Sequence, residues 1–67
     1  MPDVIHRVYI TGVFELPSGR RVIYERIVNY DYRKCIDLLK AHLTTPYLRL
    51  GPIMIDGKIL PIKVLQH

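Results

Sequence analysis

Hydrophobic and polar positions alternate along the first quarter of the chain. From Val4 to Leu16 the even positions read Val4, His6, Val8, Ile10, Gly12, Phe14 and Leu16; the odd ones read Ile5, Arg7, Tyr9, Thr11, Val13 and Glu15. A period of two rich in β-branched and aromatic residues predicts a strand. Gly12 marks a bulge or bend within it. Pro17-Ser18-Gly19 then turns the chain, since proline presets φ and glycine accepts a positive φ. A second strand runs from about Arg21 to Val28. Pairing Leu16 with Arg21 across a four-residue loop sets Phe14 opposite Ile23 and Ile10 opposite Ile27, which makes one clear core face. The other face then carries Tyr9, Val13, Val22, Tyr24 and Val28, interrupted by Arg7, Glu15 and Arg26. That face is too apolar for one turned to water.

The period changes after Asn29. Tyr32, Cys35, Ile36, Leu39, His42 and Leu43 recur at helical spacing, with Arg33, Lys34, Asp37 and Lys40 on the other side. Asn29 or Asp31 can cap this helix through a side-chain oxygen. Thr44-Thr45-Pro46 ends it, because the residue before a proline avoids the helical region.

Alternation returns in the last third, around Asp56-Gly57. That dipeptide between apolar runs predicts a two-residue type I′ hairpin. Pairing Ile55 with Lys58 sets Ile53 opposite Leu60. One face holds Ile53, Ile55, Leu60, Ile62 and Val64; the other holds Leu48, Leu50, Met54, Ile59 and Leu65. Pro52 and Pro61 fall opposite one another and restrict the ribbon to an edge or a bulge.

The expected fold is therefore α+β: a single domain, residues 1–67, of ββαββ order. Two hairpins form a mostly antiparallel sheet with the helix on one face. Strand order is left open. Both ribbons carry more apolar side chains than one short helix can cover, which points to a partner.

Composition sharpens this expectation. A chain of 67 residues buries only about 60% of the surface its unfolded form exposes, so it sits near the stability margin. Cys35 is the sole cysteine, which excludes an intramolecular disulfide and leaves association as the route to extra stability. The N-terminal segment lacks the apolar stretch of a signal peptide. Its apolar runs fall far short of the roughly 18 residues that span a bilayer. A cytoplasmic protein without membrane contact is expected.

Ten Lys and Arg against six Asp and Glu give +4, spread thinly and with no basic run. Such a charge aids solubility and weakly attracts polyanions. Catalytic chemistry finds little footing. Cys35 and His42 share a helix face but stand seven residues apart, about 10 Å along the axis, too far for a thiol and its base. The nitrogen and sulfur groups of His6, Cys35, His42 and His67 show no metal-binding spacing. The glycines stand singly, so no phosphate-cradling loop is present. No catalytic, cofactor or metal site is expected. Glu25 is the odd residue. The assumed register puts it on the core face beside Gly12, where it is either an inward acid of raised pKa or the sign of a register error.

Two functional readings remain. One is a non-enzymatic protein-binding module, an adaptor, inhibitor or regulatory subunit, acting through a sheet face or edge. It would form a homodimer that buries the second face and would bind another protein; Tyr9, Val13, Val22, Tyr24, Arg26 and Val28 are its candidate contact residues. The alternative is RNA or single-stranded DNA, with Tyr9 and Tyr24 stacking on bases beside Arg7 and Arg26.

Overall fold

The computed structural model describes residues 4–61. Four strands, β1 (Ile5–Glu15), β2 (Arg21–Asp31), β3 (Leu48–Ile55) and β4 (Lys58–Leu60), and one helix, α1 (Tyr32–Leu43), follow one another in ββαββ order. The strands form one sheet in the order β2-β1-β3-β4, with every neighbouring pair antiparallel. The expected α+β architecture is present. The helix returns the chain from the β2 edge, over β1, to β3. Described helix is too short and too polar to cross a membrane.

The helix starts where β2 stops. Asp31 keeps an extended backbone, and its carboxylate accepts a hydrogen bond from Lys34 N at 2.9 Å, satisfying one of the free first-turn donors. Cys35, Leu39 and His42 recur every three or four residues and are buried. Cys35 and Leu39 close over Val8, Ile10 and Ile53 to make the core, with Leu38 packed at its margin. Tyr32, placed on the helical stripe by its spacing, is exposed instead. At the other end Thr44 N donates to Lys40 O, and the Thr44 and Thr45 hydroxyls donate to the carbonyls of Lys40 and Ala41.

The first hairpin departs from the expected register. Leu16 N donates to Arg20 O at 2.9 Å and Gly19 adopts φ +87°, so the loop holds three residues rather than four. Glycine in the left-handed region makes the three-residue loop available. Glu15 therefore pairs with Arg21, and the one-residue slip moves every β2 side chain to the opposite face. Val22 lies opposite Phe14, Tyr24 opposite Gly12, Arg26 opposite Ile10 and Val28 opposite Val8, all on the helix side. Glu25 faces Thr11 on the other side and is exposed. The inward acid was a register error.

A second correction concerns β3. Ile10 pairs with Ile53 and Gly12 with Leu50, so Thr11 alone spans Gly51 and Pro52. This bulge lies on β3, across from the glycine that suggested it. Thr11 Oγ1 donates to Pro52 O at 3.0 Å. The extra residue reverses the side-chain parity of the strand. Leu48 and Leu50 consequently join Ile53 and Ile55 on the helix side rather than Met54 and Ile59. A bulge also accommodates Pro52, which has no ladder donor to give.

The Asp56-Gly57 turn has φ +52° and +80°, as a type I′ turn requires. Ile55 pairs with Lys58 and Ile53 with Leu60 as expected, and the ladder ends there. Ile62, Val64 and Leu65 lie outside the described residues.

Candidate functional site

The helix covers one side of the sheet, and the odd-numbered residues of β1 and β2 occupy the other. Register places four of its side chains in one line across all four strands. Ile27 of β2 pairs with Tyr9 of β1, Tyr9 with Met54 of β3, and Met54 with Ile59 of β4. Strands lie about 4.8 Å apart, so the row is roughly 14 Å wide, and its one hydrogen-bonding side-chain group is the Tyr9 hydroxyl. Ile27 and Ile59 at its ends are exposed, and the central Tyr9 and Met54 are half-buried.

One step along the strands, Thr11 and Glu25 face each other beside the β3 bulge. Gly51 has no side chain to add there, and a Cβ would stand 2.8 Å from Thr11 Oγ1. The face is therefore notched at this level. A shallow depression of about 390 Å³ lies between Thr11, Val13, Ile23 and Gly51, and another of about 430 Å³ between Arg7, Tyr9, Ile27 and Met54. Beyond the notch come Val13 with Ile23, which is 80% exposed, and then Glu15 with Arg21. Glu15 accepts from Arg49 at 3.5 Å and lies 3.9 Å from Arg21.

The structure brings two of the six expected contact residues onto this face, Tyr9 and Val13. It sends Val22, Tyr24, Arg26 and Val28 to the helix side. Val28 packs against the core, while Val22 and Arg26 are exposed. Tyr24 does internal work: its ring meets Phe14 edge-on at 5.5 Å, and its hydroxyl lies 2.7 Å from His42 Nε2. Ile23 and Ile27 take their places on the open face. The sequence signal for them was Gly19, whose tolerance of positive φ favours the shorter loop and hence the observed register.

Other reactive groups are engaged structurally. Cys35 is buried and its Sγ donates to Tyr30 O at 3.4 Å. Burial pushes its thiol pKa up, with smaller contributions from the negative charges of Asp31 and Asp56. Asp56 Oδ2 lies 2.7 Å from His6 Nδ1, and Asp56 Oδ1 accepts from Arg7 N at 3.0 Å. A histidine held by a carboxylate can serve as a base, yet among the described residues no hydroxyl or thiol hydrogen-bonds to His6. Nor do three or more His, Cys, Asp or Glu residues there converge as metal ligands. A scan against protein-family models and searches of curated proteins and of solved structures return no match.

Proposed function

We propose that this protein is a non-enzymatic, cytoplasmic protein-binding module that works through its open sheet face. The observation that carries the reading is the row Ile27–Tyr9–Met54–Ile59. A sheet face turned to water is normally polar; here, between the polar pairs Arg7–Asn29, Thr11–Glu25 and Glu15–Arg21, one apolar row crosses all four strands and Val13 and Ile23 add a second apolar pair. Burying exposed isoleucines is worth about 25 cal/mol per Å², and in so small a domain a partner adds stability that the core alone does not supply.

Nucleic acid has thinner support. Tyr9 and Tyr24 do not share a face, so the pair of stacking platforms is lost. Arg21 and Arg49 both lie beside Glu15, which competes with phosphate for them.

Affinity capture from the native cells, with and without nuclease, tests the reading. A protein partner is retained by the wild type after nuclease and lost by Ile59→Lys, an exposed position where the charge leaves the core untouched. Loss of the partner on nuclease treatment, or undiminished capture by Ile59→Lys, would sink it.

A further inference from the structure

β2 forms a border of the sheet, and the ladder fixes which of its backbone groups face outward. Leu16 N bonds to Arg20 O, whereas Glu15 N bonds to Tyr47 O and Asp56 N to Arg7 O. Even-numbered residues of β1 thus exchange hydrogen bonds with β2, and odd-numbered ones bond on the β3 side. Through the β1–β2 register, the outward N–H and C=O groups of β2 belong to Arg21, Ile23, Glu25, Ile27 and Asn29.

Sheet edges are normally protected by short strands, charged side chains, prolines or bulges. β4 at the opposite border fits this pattern, with three residues followed by Pro61. β2 is less guarded. It is 11 residues long, unbroken in its pairing with β1 and without Pro or Lys; its charges, Arg21, Glu25, Arg26 and Asp31, are two of each sign, which an antiparallel copy can match, and it exposes Val22, Ile23 and Ile27 among them.

We propose that a second copy of this chain adds to that edge. The two β2 strands run antiparallel about a two-fold axis at Ile27, joining two four-stranded sheets into one of eight strands.

Symmetry, charge and the length of strand that can pair select the register. A two-fold axis perpendicular to the sheet keeps like faces together, so it pairs odd residues with odd and even with even. Centring it on Glu25 sets two carboxylates opposite each other, and centring it on Arg26 sets two guanidinium groups opposite each other; both are unfavourable. Centring it on Val28 brings Glu25 against Asp31 of the second copy. Centring it on Tyr24 packs Ile23 against Glu25 and pairs seven residues, Arg21 to Ile27. Centring it on Ile23 opposes Arg21 with Glu25, but the strand starts at Arg21, so only five residues pair and the outward groups of Ile27 and Asn29 are left without partners. With the axis at Ile27, nine residues pair, Ile23 to Asp31, and the two isoleucines meet each other. Glu25 then meets Asn29 of the second copy, whose amide can donate to the carboxylate, and Arg26 meets Val28; Ile23 meets Asp31 only at the ends of the ladder, where that carboxylate already accepts from Lys34 N. The outward groups of Glu25, Ile27 and Asn29 exchange about six backbone hydrogen bonds. The apolar row continues unbroken through the axis, from Ile59 of one copy to Ile59 of the other. Both open faces stay on the same side and free for a protein partner, so edge pairing stands independently of the face reading.

Disulfide trapping tests the register in a Cys35→Ala background, after circular dichroism and sedimentation confirm that this background folds and sediments like the wild type. Ile27→Cys places two thiols on directly opposed residues, within the Cα separation a disulfide spans. Ile23→Cys places them eight residues apart, roughly 26 Å. The expected result is a wild-type dimer in sedimentation, a covalent dimer from Ile27→Cys under mild oxidation, and none from Ile23→Cys. Synthesis with an N-methyl group at Ile27 removes one outward donor without touching the β1 ladder, and is expected to shift the protein towards monomer. A wild-type monomer at hundreds of micromolar, or Ile23→Cys cross-linking as fast as Ile27→Cys, would overturn the proposal.

Discussion

The hydroxyl of Tyr24 lies 2.7 Å from Nε2 of His42, tying β2 to the last turn of α1. His42 Nδ1 lies 2.7 Å from Leu38 O. A carbonyl only accepts, so Nδ1 carries the proton; Nε2 of the neutral ring then accepts from the Tyr24 hydroxyl. His42 is 6% exposed, and water cannot readily replace a lost partner. Tyr24→Phe keeps the edge-on contact with Phe14 but strands a buried nitrogen, and is expected to cost about 1–3 kcal/mol. Removing both polar partners in Tyr24→Phe/His42→Leu should recover much of that loss. Urea unfolding of the two single variants and the double variant gives the coupling. A double variant no more stable than the additive sum would show that the bond contributes nothing specific.

Element order and the second hairpin were legible because their signals are local. Asp56-Gly57 dictates its own turn, and Asp31 sits directly before a run of helical spacing. Face assignments on β2 and β3 were not legible, because they depend on single-residue offsets made elsewhere. Gly19 shortens the first loop, and the Gly51-Pro52 bulge shifts Leu48 and Leu50. Each change is one residue long and reverses a whole face. The candidate surface was recognisable in kind, an apolar side left over after the helix is placed. Its membership was not: Tyr9 and Val13 stay on it, and Tyr24 turns out to cement the helix.

Asp56 joins the β3–β4 turn to the start of β1, and its carboxyl pKa is lowered from 3.8 first by the hydrogen bond from His6 and next by that from Arg7 N. A carboxylate with a folded pKa below its unfolded one stabilises the fold above the unfolded value. That contribution fades as pH falls through the folded value. Wild type should therefore lose urea resistance as pH falls below about 4 more steeply than Asp56→Asn, which keeps a residue tolerant of the positive φ. Parallel pH profiles for the two proteins would argue against the latch.

Gly12 and Gly51 are both crowded, but by different neighbours. A Cβ on Gly12 would stand 2.9 Å from the Arg49 carbonyl oxygen, a backbone atom held in the ladder; one on Gly51 would stand 2.8 Å from Thr11 Oγ1, a side-chain atom. Gly12→Ala is expected to cost about 1–3 kcal/mol, as overpacking does, with no single side-chain change to relieve it. Gly51→Ala should be relieved in the Thr11→Ala background. A thermodynamic cycle over these variants checks both statements, and an additive Gly51/Thr11 pair would refute the second.

Cys35 reports on how firmly the helix is seated. It is 1% exposed, and its burial-raised pKa keeps the thiol protonated and poorly nucleophilic. A disulfide reagent at pH 8 should therefore react through opened molecules. If the fold supplies about 3–4 kcal/mol, the native rate should lie roughly 10²–10³-fold below that of the unfolded chain. Labelling should accelerate with urea along the unfolding curve. Tyr24→Phe should raise the native rate by the factor its lost stability implies, tenfold for each 1.4 kcal/mol. If instead Cys35 reacts at nearly the unfolded rate in native buffer, α1 lifts from the sheet without global unfolding. In that case Tyr24→Phe would change the rate of labelling far less than it changes the urea midpoint.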